Sequence, residues 1–297
     1  MSLVECVPNF SEGRRPEVID RIVAALASAP GVRVIDRSMD AGHNRAVVTF
    51  IGSDRDVGEA AFRAIGEAQR EIDLRSHSGE HPRIGATDVV PFVPVSDVSL
   101  ARCVEIAHAL GERVGRELEI PVYFYEAAAK RPTRRNLPDV RNIGFEKLLQ
   151  AVATDPERAP DCGPARLHPS AGAVVIGARQ FLIAFNVNLK SKDTAAAKEI
   201  AKKIREKDGG LPGIKAMGFF LDDLQCAQVS MNVCDFTRTG LVRVYEEIEK
   251  LAAERGIEIL ESELVGLAPR AALGSAVAAR IHLRGFDPAR QIVEELI

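Results

Sequence analysis

The chain holds 297 residues, and 39 Lys plus Arg against 42 Asp plus Glu leave a formal charge of −3. That balance gives no electrostatic case for nucleic acid or an anionic membrane as partner, and 46% hydrophobic with 27% charged residues excludes a largely disordered chain. One hydrophobic core stops growing near ~250–300 residues, so two domains are expected.

The start, Met1-Ser2-Leu3-Val4-Glu5, is not basic, and no apolar run approaches the ~18–20 residues of a bilayer span, which points to the cytoplasm. Cys6, Cys103, Cys162, Cys226 and Cys234 are odd in number and lack a C-x-x-C pair, so core thiols are expected instead of a disulfide framework or zinc ribbon. Residues 3–8 read as a strand, and Val18, Ile19, Ile22, Val23 and Leu26 repeat at helical spacing behind Pro16. Strands at 32–36 and 45–52 flank a polar segment, and 56–72 returns to helical period. The run VVPFVPV at 89–95 has strand composition, but Pro91 and Pro94 restrict it to an edge or an irregular strand. A helix at 99–118 and a strand at 121–126 follow.

From Lys130 to Gly172 periodicity fades, apart from a short helix near 145–153, and the segment reads as a connector that lines a site. The pattern then restarts: strands at 173–177 and 181–189, a helix at 193–207, strands at 214–221 and 226–234, a helix at 239–255, a strand at 257–266, and helices near 269–279 and 287–296. Hairpins mixed with crossover helices in both halves predict an α/β (α+β) protein of two ferredoxin-like, mixed-sheet subdomains, 1–178 and 179–297. Neither a glycine-rich dinucleotide fingerprint nor a phosphate loop occurs.

The densest polar cluster is HSGEHPRIGATD, His77 to Asp88. His77, Glu80 and His81 fit the H-x-x-E-H spacing of a zinc hydrolase, yet Gly79 and Pro82 interrupt the helix that spacing needs. The alternatives are an imidazole that shuttles a proton at neutral pH and a plain solvated loop histidine. His43, His108, His168 and His282 are weaker candidates. Asp40-Ala41-Gly42-His43-Asn44-Arg45 offers a carboxylate and a guanidinium for opposite ends of a small charged substrate, or an ordinary turn. Asn186 and Asn188 alternate with Phe185, Val187 and Leu189, as Ser230 and Asn232 do with Val229, Met231 and Val233, so each strand has one polar face that lines a cleft or meets solvent. The basic helix carrying Lys198, Lys202, Lys203, Arg205 and Lys207 reads as a solvated face.

Five stretches, VECVPNFSEG at Val4–Gly13, DAGHNR at Asp40–Arg45, GEHPRIGATD at Gly79–Asp88, GPARLHPSAGAVVIGARQFLIAFNVNL at Gly163–Leu189 and LVGLAP at Leu264–Pro269, resemble the glutamate formiminotransferase family of histidine degradation. The resemblance implies two sheets facing each other across a tunnel that binds tetrahydrofolate as co-substrate, and a homodimer formed through the first subdomain. It maps the catalytic histidine onto His81, and folate contacts onto Gly163, Pro164, Ala165, Arg166, Leu167, His168, Pro169, Ser170, Ala171 and Gly172. It requires no metal. The cyclodeaminase domain of bifunctional relatives has no counterpart before Ile297, so a separate cyclodeaminase is expected to act next.

The implied donor, N-formimino-L-glutamate, carries a cationic formamidine and two carboxylates. Asp40 is then expected to face the amidine and steady the cationic intermediate, Arg45 and Arg83 to take carboxylates, and Asn186 and Asn188 to add substrate contacts. His81 would move a proton from the attacking pterin amine to the departing glutamate nitrogen. Formyl transfer from formylglutamate, formiminoglycine as donor, a non-catalytic folate-binding module and a zinc hydrolase stay open as alternatives.

Overall fold

The computed structural model describes residues 2–79 and 83–296, and His81, with Glu80 and Pro82, lies outside the described residues. The chain divides into two compact units, Met1–Arg179 and Gln180–Ile297. In the first, β1 (Leu3–Cys6) and β2 (Asn9–Phe10) form one strand broken at Val7-Pro8. Next come α1 (Pro16–Ala27), the hairpin of β3 (Val32–Asp40) and β4 (Arg45–Gly52), α2 (Val57–Glu71) and β5 (Thr87–Ser96). These strands lie antiparallel in the order β3, β4, β1/β2, β5, which is ferredoxin-like βαββαβ wiring. Beyond β5 the helix α3 (Leu100–Glu117) carries the chain to β6 (Val122–Glu126), and β7 (Val174–Ala178) inserts between β5 and β6, parallel to both. A crossover helix is what a parallel pairing requires.

The helices form because their apolar residues recur on one face. Val18, Ile19, Ile22 and Leu26 of α1 are buried behind a proline in the first turn, and α3 starts at Ser99, whose side chain accepts the Arg102 N–H. Phe10, Phe50, Phe92 and Phe124, one from each of four strands, are fully buried with them.

One expectation is resolved between its alternatives and one needs correction: of an edge and an irregular strand, β5 is the irregular one. β5 lies in the middle of the sheet between β1/β2 and β7, although Pro91 and Pro94 lack the N–H of a central strand. The break at Val7-Pro8 stands opposite Pro91, whose carbonyl accepts the Val7 N–H at 3.3 Å, and the β1–β5 register shifts beside Pro94. The missing donors thus coincide with irregularities in the neighbouring strand. Residues 130–172 are also more ordered than a connector. They fold into α4 (Leu137–Arg141), α5 (Gly144–Ala151) and two short 3-10 turns, and Val140, Phe145, Leu148, Val152 and Leu167 enter the core. The five-residue α4 is too short to declare a period, whereas α5 is the short helix expected near 145–153.

The second unit repeats the wiring without the extension. β8 (Ile183–Leu189), α6 (Thr194–Ile204), β9 (Ile214–Leu221), β10 (Cys226–Val233), α7 (Leu241–Ala253) and β11 (Ile259–Val265) give the order β11, β8, β10, β9. The pairings between its strands are antiparallel, and parallel pairing enters only as the isolated bridges Arg205–Leu211, Ser262–Leu283 and Ala268–Ile292. Phe185, Val187 and Leu189 are buried along with Ile200, Ile204, Tyr245 and Ile248 of the helices, while Asn186 and Asn188 occupy the opposite face. α8 (Ser275–Arg280) and α9 (Pro288–Gln291) follow. The β3–β4 and β9–β10 hairpins both turn through four residues, and the last of each, Asn44 and Gln225, is left-handed with φ of 49° and 51°. No helix among the described residues is long and apolar enough to cross a membrane.

Candidate active site

Three loops of the first unit are tied together by Asn44, whose left-handed backbone asparagine tolerates better than most residues. Its Oδ1 accepts the Gly13 N–H at 2.8 Å, its Nδ2 donates to the Ser78 carbonyl at 3.0 Å, and its own carbonyl accepts from His77 Nε2 at 3.0 Å. Gly13 is needed because a Cβ there would stand 2.1 Å from the Asp40 carbonyl oxygen. Around this junction opens a small recess with a cavity volume of about 10 Å³, open to solvent and lined by Phe10, Ser11, His43, Asn44, Arg45, His77, Arg83 and Asp88.

The recess is rich in cations that lack full compensation. Arg45, the first residue of β4, is half-buried and donates from Nη2 to Asn9 Oδ1, while its Nε is buried without a partner. Burial lowers its affinity for the proton, and the neighbouring Arg141 charge adds to this against the opposing pull of Asp88. Arg83 donates from Nη2 to the His77 carbonyl at 2.8 Å and to Glu146 Oε1 at 3.0 Å, and its Nε is also buried and unpartnered. The carboxylate among the described lining residues, Asp88, is occupied: Oδ1 accepts the Ile84 N–H at 2.9 Å and Oδ2 accepts from Arg141 Nη1 at 3.0 Å. The buried Thr87 hydroxyl has no partner.

The two histidines differ. His77 is half-buried, and burial pushes it below the usual imidazole value, with the Arg83 charge acting in the same direction and the Asn44 contact opposing. Its Nδ1 is buried without a partner. His43 is exposed on the hairpin tip, where its Nδ1 lies 2.8 Å from Asp40 Oδ2 and its N–H donates to Asp40 Oδ1 at 2.9 Å. These two hydrogen bonds, the backbone one first, hold Asp40 below the ordinary carboxylate range.

Of the residues expected from the sequence, Arg45 and Arg83 are brought together in the recess, and Asp40 stands at its rim against His43. His81 lies outside the described residues. His43 lines the recess although it is one of the weaker candidates in the sequence, Arg141 lies where periodicity fades, and Glu146 sits in the short expected helix with only its charge to mark it. Residues 77–79 are not helical and His77 commits Nε2 to a carbonyl, while Glu80 and His81, the other two members of the H-x-x-E-H spacing, lie outside the described residues.

Gly163–Gly172 forms a loop behind the recess. The His168 and Gly172 backbones exchange hydrogen bonds of 3.0 Å, His168 Nδ1 accepts the Ala171 N–H at 3.0 Å, and its Nε2 lies 2.9 Å from the Gln69 amide. Leu167, Ala171 and Gly172 are buried, Pro164, His168 and Ser170 half-buried, and Gly163, Ala165, Arg166 and Pro169 exposed. The loop is joined to the recess segment through Ala86 N–H to the Ala171 carbonyl at 2.9 Å and Ala173 N–H to the Ile84 carbonyl at 2.8 Å. Gly85 permits this approach, because a Cβ there would stand 1.8 Å from the Ala173 oxygen.

In the second unit Asn188 is fully buried, donating to Glu261 Oε1 at 3.2 Å and accepting from Gln228 Nε2 at 2.9 Å. Asn186 donates to Glu263 Oε2 at 3.4 Å, and Arg284 pairs with both glutamates. The two amides are therefore engaged in a polar network of their own sheet.

Residues 3–179 match the N-terminal subdomain of the formiminotransferase domain, and residues 184–295 match the formiminotransferase domain. The chain is 45% identical to the glutamate formimidoyltransferase of Streptococcus pyogenes, over 98% of this chain and 97% of that protein. It is 47% identical to the glutamate formimidoyltransferase of Thermoplasma acidophilum, over 97% and 95% respectively. Against rat formimidoyltransferase-cyclodeaminase the identity is 45% over 93% of this chain, which spans 52% of that relative. With both halves matched in order, this chain belongs to the formiminotransferase family.

Proposed function

We propose that this chain is a glutamate formimidoyltransferase, which moves the formimino group of N-formimino-L-glutamate to tetrahydrofolate and releases L-glutamate. The observation that carries the reading is the recess itself, where the Nε–H groups of Arg45 and Arg83 are buried without acceptors. Leaving a buried donor unmatched costs about 1–3 kcal/mol, so a ligand that brings carboxylate oxygens accounts for a set that otherwise destabilises the fold. The two microbial relatives named glutamate formimidoyltransferase support the same reaction.

On this reading Arg45 and Arg83 hold the donor carboxylates. Asp40, kept ionised by His43, faces the cationic amidine at the rim. The secondary amine of the reduced pterin attacks the amidine carbon, a new C–N bond forms, and the bond to the glutamate nitrogen breaks. His81 takes the proton of the attacking amine and returns it to the leaving nitrogen, so the imidazole ends as it began. The exposed residues of Gly163–Gly172 are offered to folate, which is the co-substrate of the family. The product passes to a cyclodeaminase activity, which the name of the rat relative couples to this one. A cytoplasmic homodimer is the working form proposed from the family resemblance.

Incubation with tetrahydrofolate and, in turn, N-formiminoglutamate, N-formylglutamate and formiminoglycine tests the reading through the folate absorbance change. Transfer from N-formiminoglutamate is expected to dominate. Transfer from another donor alone would replace the substrate, and none from any would overturn the reading.

A further inference from the structure

The oxygen of the Asn44 carbonyl can only accept a hydrogen bond, so His77 Nε2, 3.0 Å away, carries the ring proton. Asn44 is itself held by Gly13 and Ser78, which fixes the ring by a rigid backbone neighbour. In the neutral ring, the form that burial favours, Nδ1 is a bare lone pair, and it is buried without a partner on the wall of the recess. Its unpartnered neighbours Arg45 Nε and Arg83 Nε are donors, and the Asp88 carboxylate is already bonded to Ile84 and Arg141. The recess therefore offers N–H groups that match carboxylates and one lone pair that a carboxylate cannot satisfy.

We propose that His77 is a donor-selecting residue: its Nδ1 accepts a hydrogen bond from an N–H of the cationic amidine, and this favours a formimino over a formyl donor. The proposal rests on the transferase reading above and adds what distinguishes the two donors. They share the glutamate carboxylates that the arginines hold. They differ at the transferred end, where the amidine presents N–H groups and the formyl group presents oxygen lone pairs that would oppose that of Nδ1. A site built to pair one polar group discriminates strongly against a ligand that leaves the partner unpaired.

The test is calorimetric binding of N-formiminoglutamate and of N-formylglutamate to the full chain, His77→Gln and His77→Asn, each first shown to bind tetrahydrofolate and to melt cooperatively. The glutamine amide reaches the Asn44 carbonyl as Nε2 does but leaves nothing at Nδ1, whereas the asparagine oxygen stands near the Nδ1 position. The unaltered chain should prefer the formimino ligand. His77→Gln should lose on the order of 10- to 100-fold of that preference, the value of a hydrogen bond to a charged group, and His77→Asn should keep most of it. Full preference retained in His77→Gln, equal loss in both variants, or no preference in the unaltered chain would overturn the proposal. Turnover with tetrahydrofolate is measured separately. Preference without turnover sinks the transferase reading, and turnover without preference sinks the role of His77.

Discussion

Glu5 provides the sharpest quantitative test of the fold beneath the site. It lies in β1, paired with Ile51 on one side and Val93 on the other, and it is 3% exposed. Burial raises its pKa from 4.5 to about 7, against the opposing charge of Arg179. Between those two values the unfolded chain has released the proton that the folded chain still holds, so the folded state binds more protons and stability falls as pH rises through the window. At ~1.4 kcal/mol per pH unit the loss across it is about 3 kcal/mol. Glu5→Gln removes the titration and keeps the shape. The stability of the variant relative to the parent should therefore grow from pH 5 to pH 8 by most of that amount. Urea unfolding followed by far-ultraviolet circular dichroism is the suitable assay, because the chain has no tryptophan and only three tyrosines. Parallel pH dependences for the two proteins would show that Glu5 is ionised in the folded state and would refute the reasoning.

Three further outcomes follow from the site. His81→Ala should lower turnover by ~10²–10⁴ and leave tetrahydrofolate affinity nearly unchanged, as expected for loss of a proton carrier; unaltered turnover in single-turnover kinetics removes it from the mechanism. Arg45→Ala should raise the Michaelis constant for N-formiminoglutamate on the order of 10- to 100-fold, the value of a charged hydrogen bond, with little change in that for folate; equal effects on both would count against carboxylate binding. Gly85→Ala places a methyl group 1.8 Å from the Ala173 carbonyl oxygen, which only a backbone shift relieves. A loss of about 3 kcal/mol is expected in denaturant unfolding, and an unchanged midpoint would show that this segment is not packed against β7 as described.

What the sequence discloses and what it hides have separate physical causes. β9 at Ile214–Leu221 and α3 at Leu100–Glu117 are legible because burial of one face imposes a period on residues close in sequence. The place of β5 is not, since the feature that lets Pro91 sit mid-sheet is the break at Val7-Pro8, more than eighty positions away. The same holds for the recess. DAGHNR announces Arg45 and Asp40 through local composition, but Arg141 reaches Asp88 across 53 positions and Glu146 reaches Arg83 across 63. His77 passes for a bystander of His81 until the Asn44 carbonyl shows which of its nitrogens holds the proton. Asn188 looks like a cleft residue from alternation alone, and only the pairing of β8 with β10 and β11 shows its amide meeting Gln228 and Glu261.

The matched hairpins of the two units bear on how such a corner arises. Each bends through four positions and closes on a left-handed residue, but one reads Ala41-Gly42-His43-Asn44 and the other Asp222-Asp223-Leu224-Gln225. The molecule thus contains its own control, a four-residue turn laid down twice with recess-lining side chains, His43 and Asn44, on a single copy. On the proposed function, reactivity belongs to the residues written onto the turn and not to the path of the chain, and the second turn marks where another inscription would have to begin.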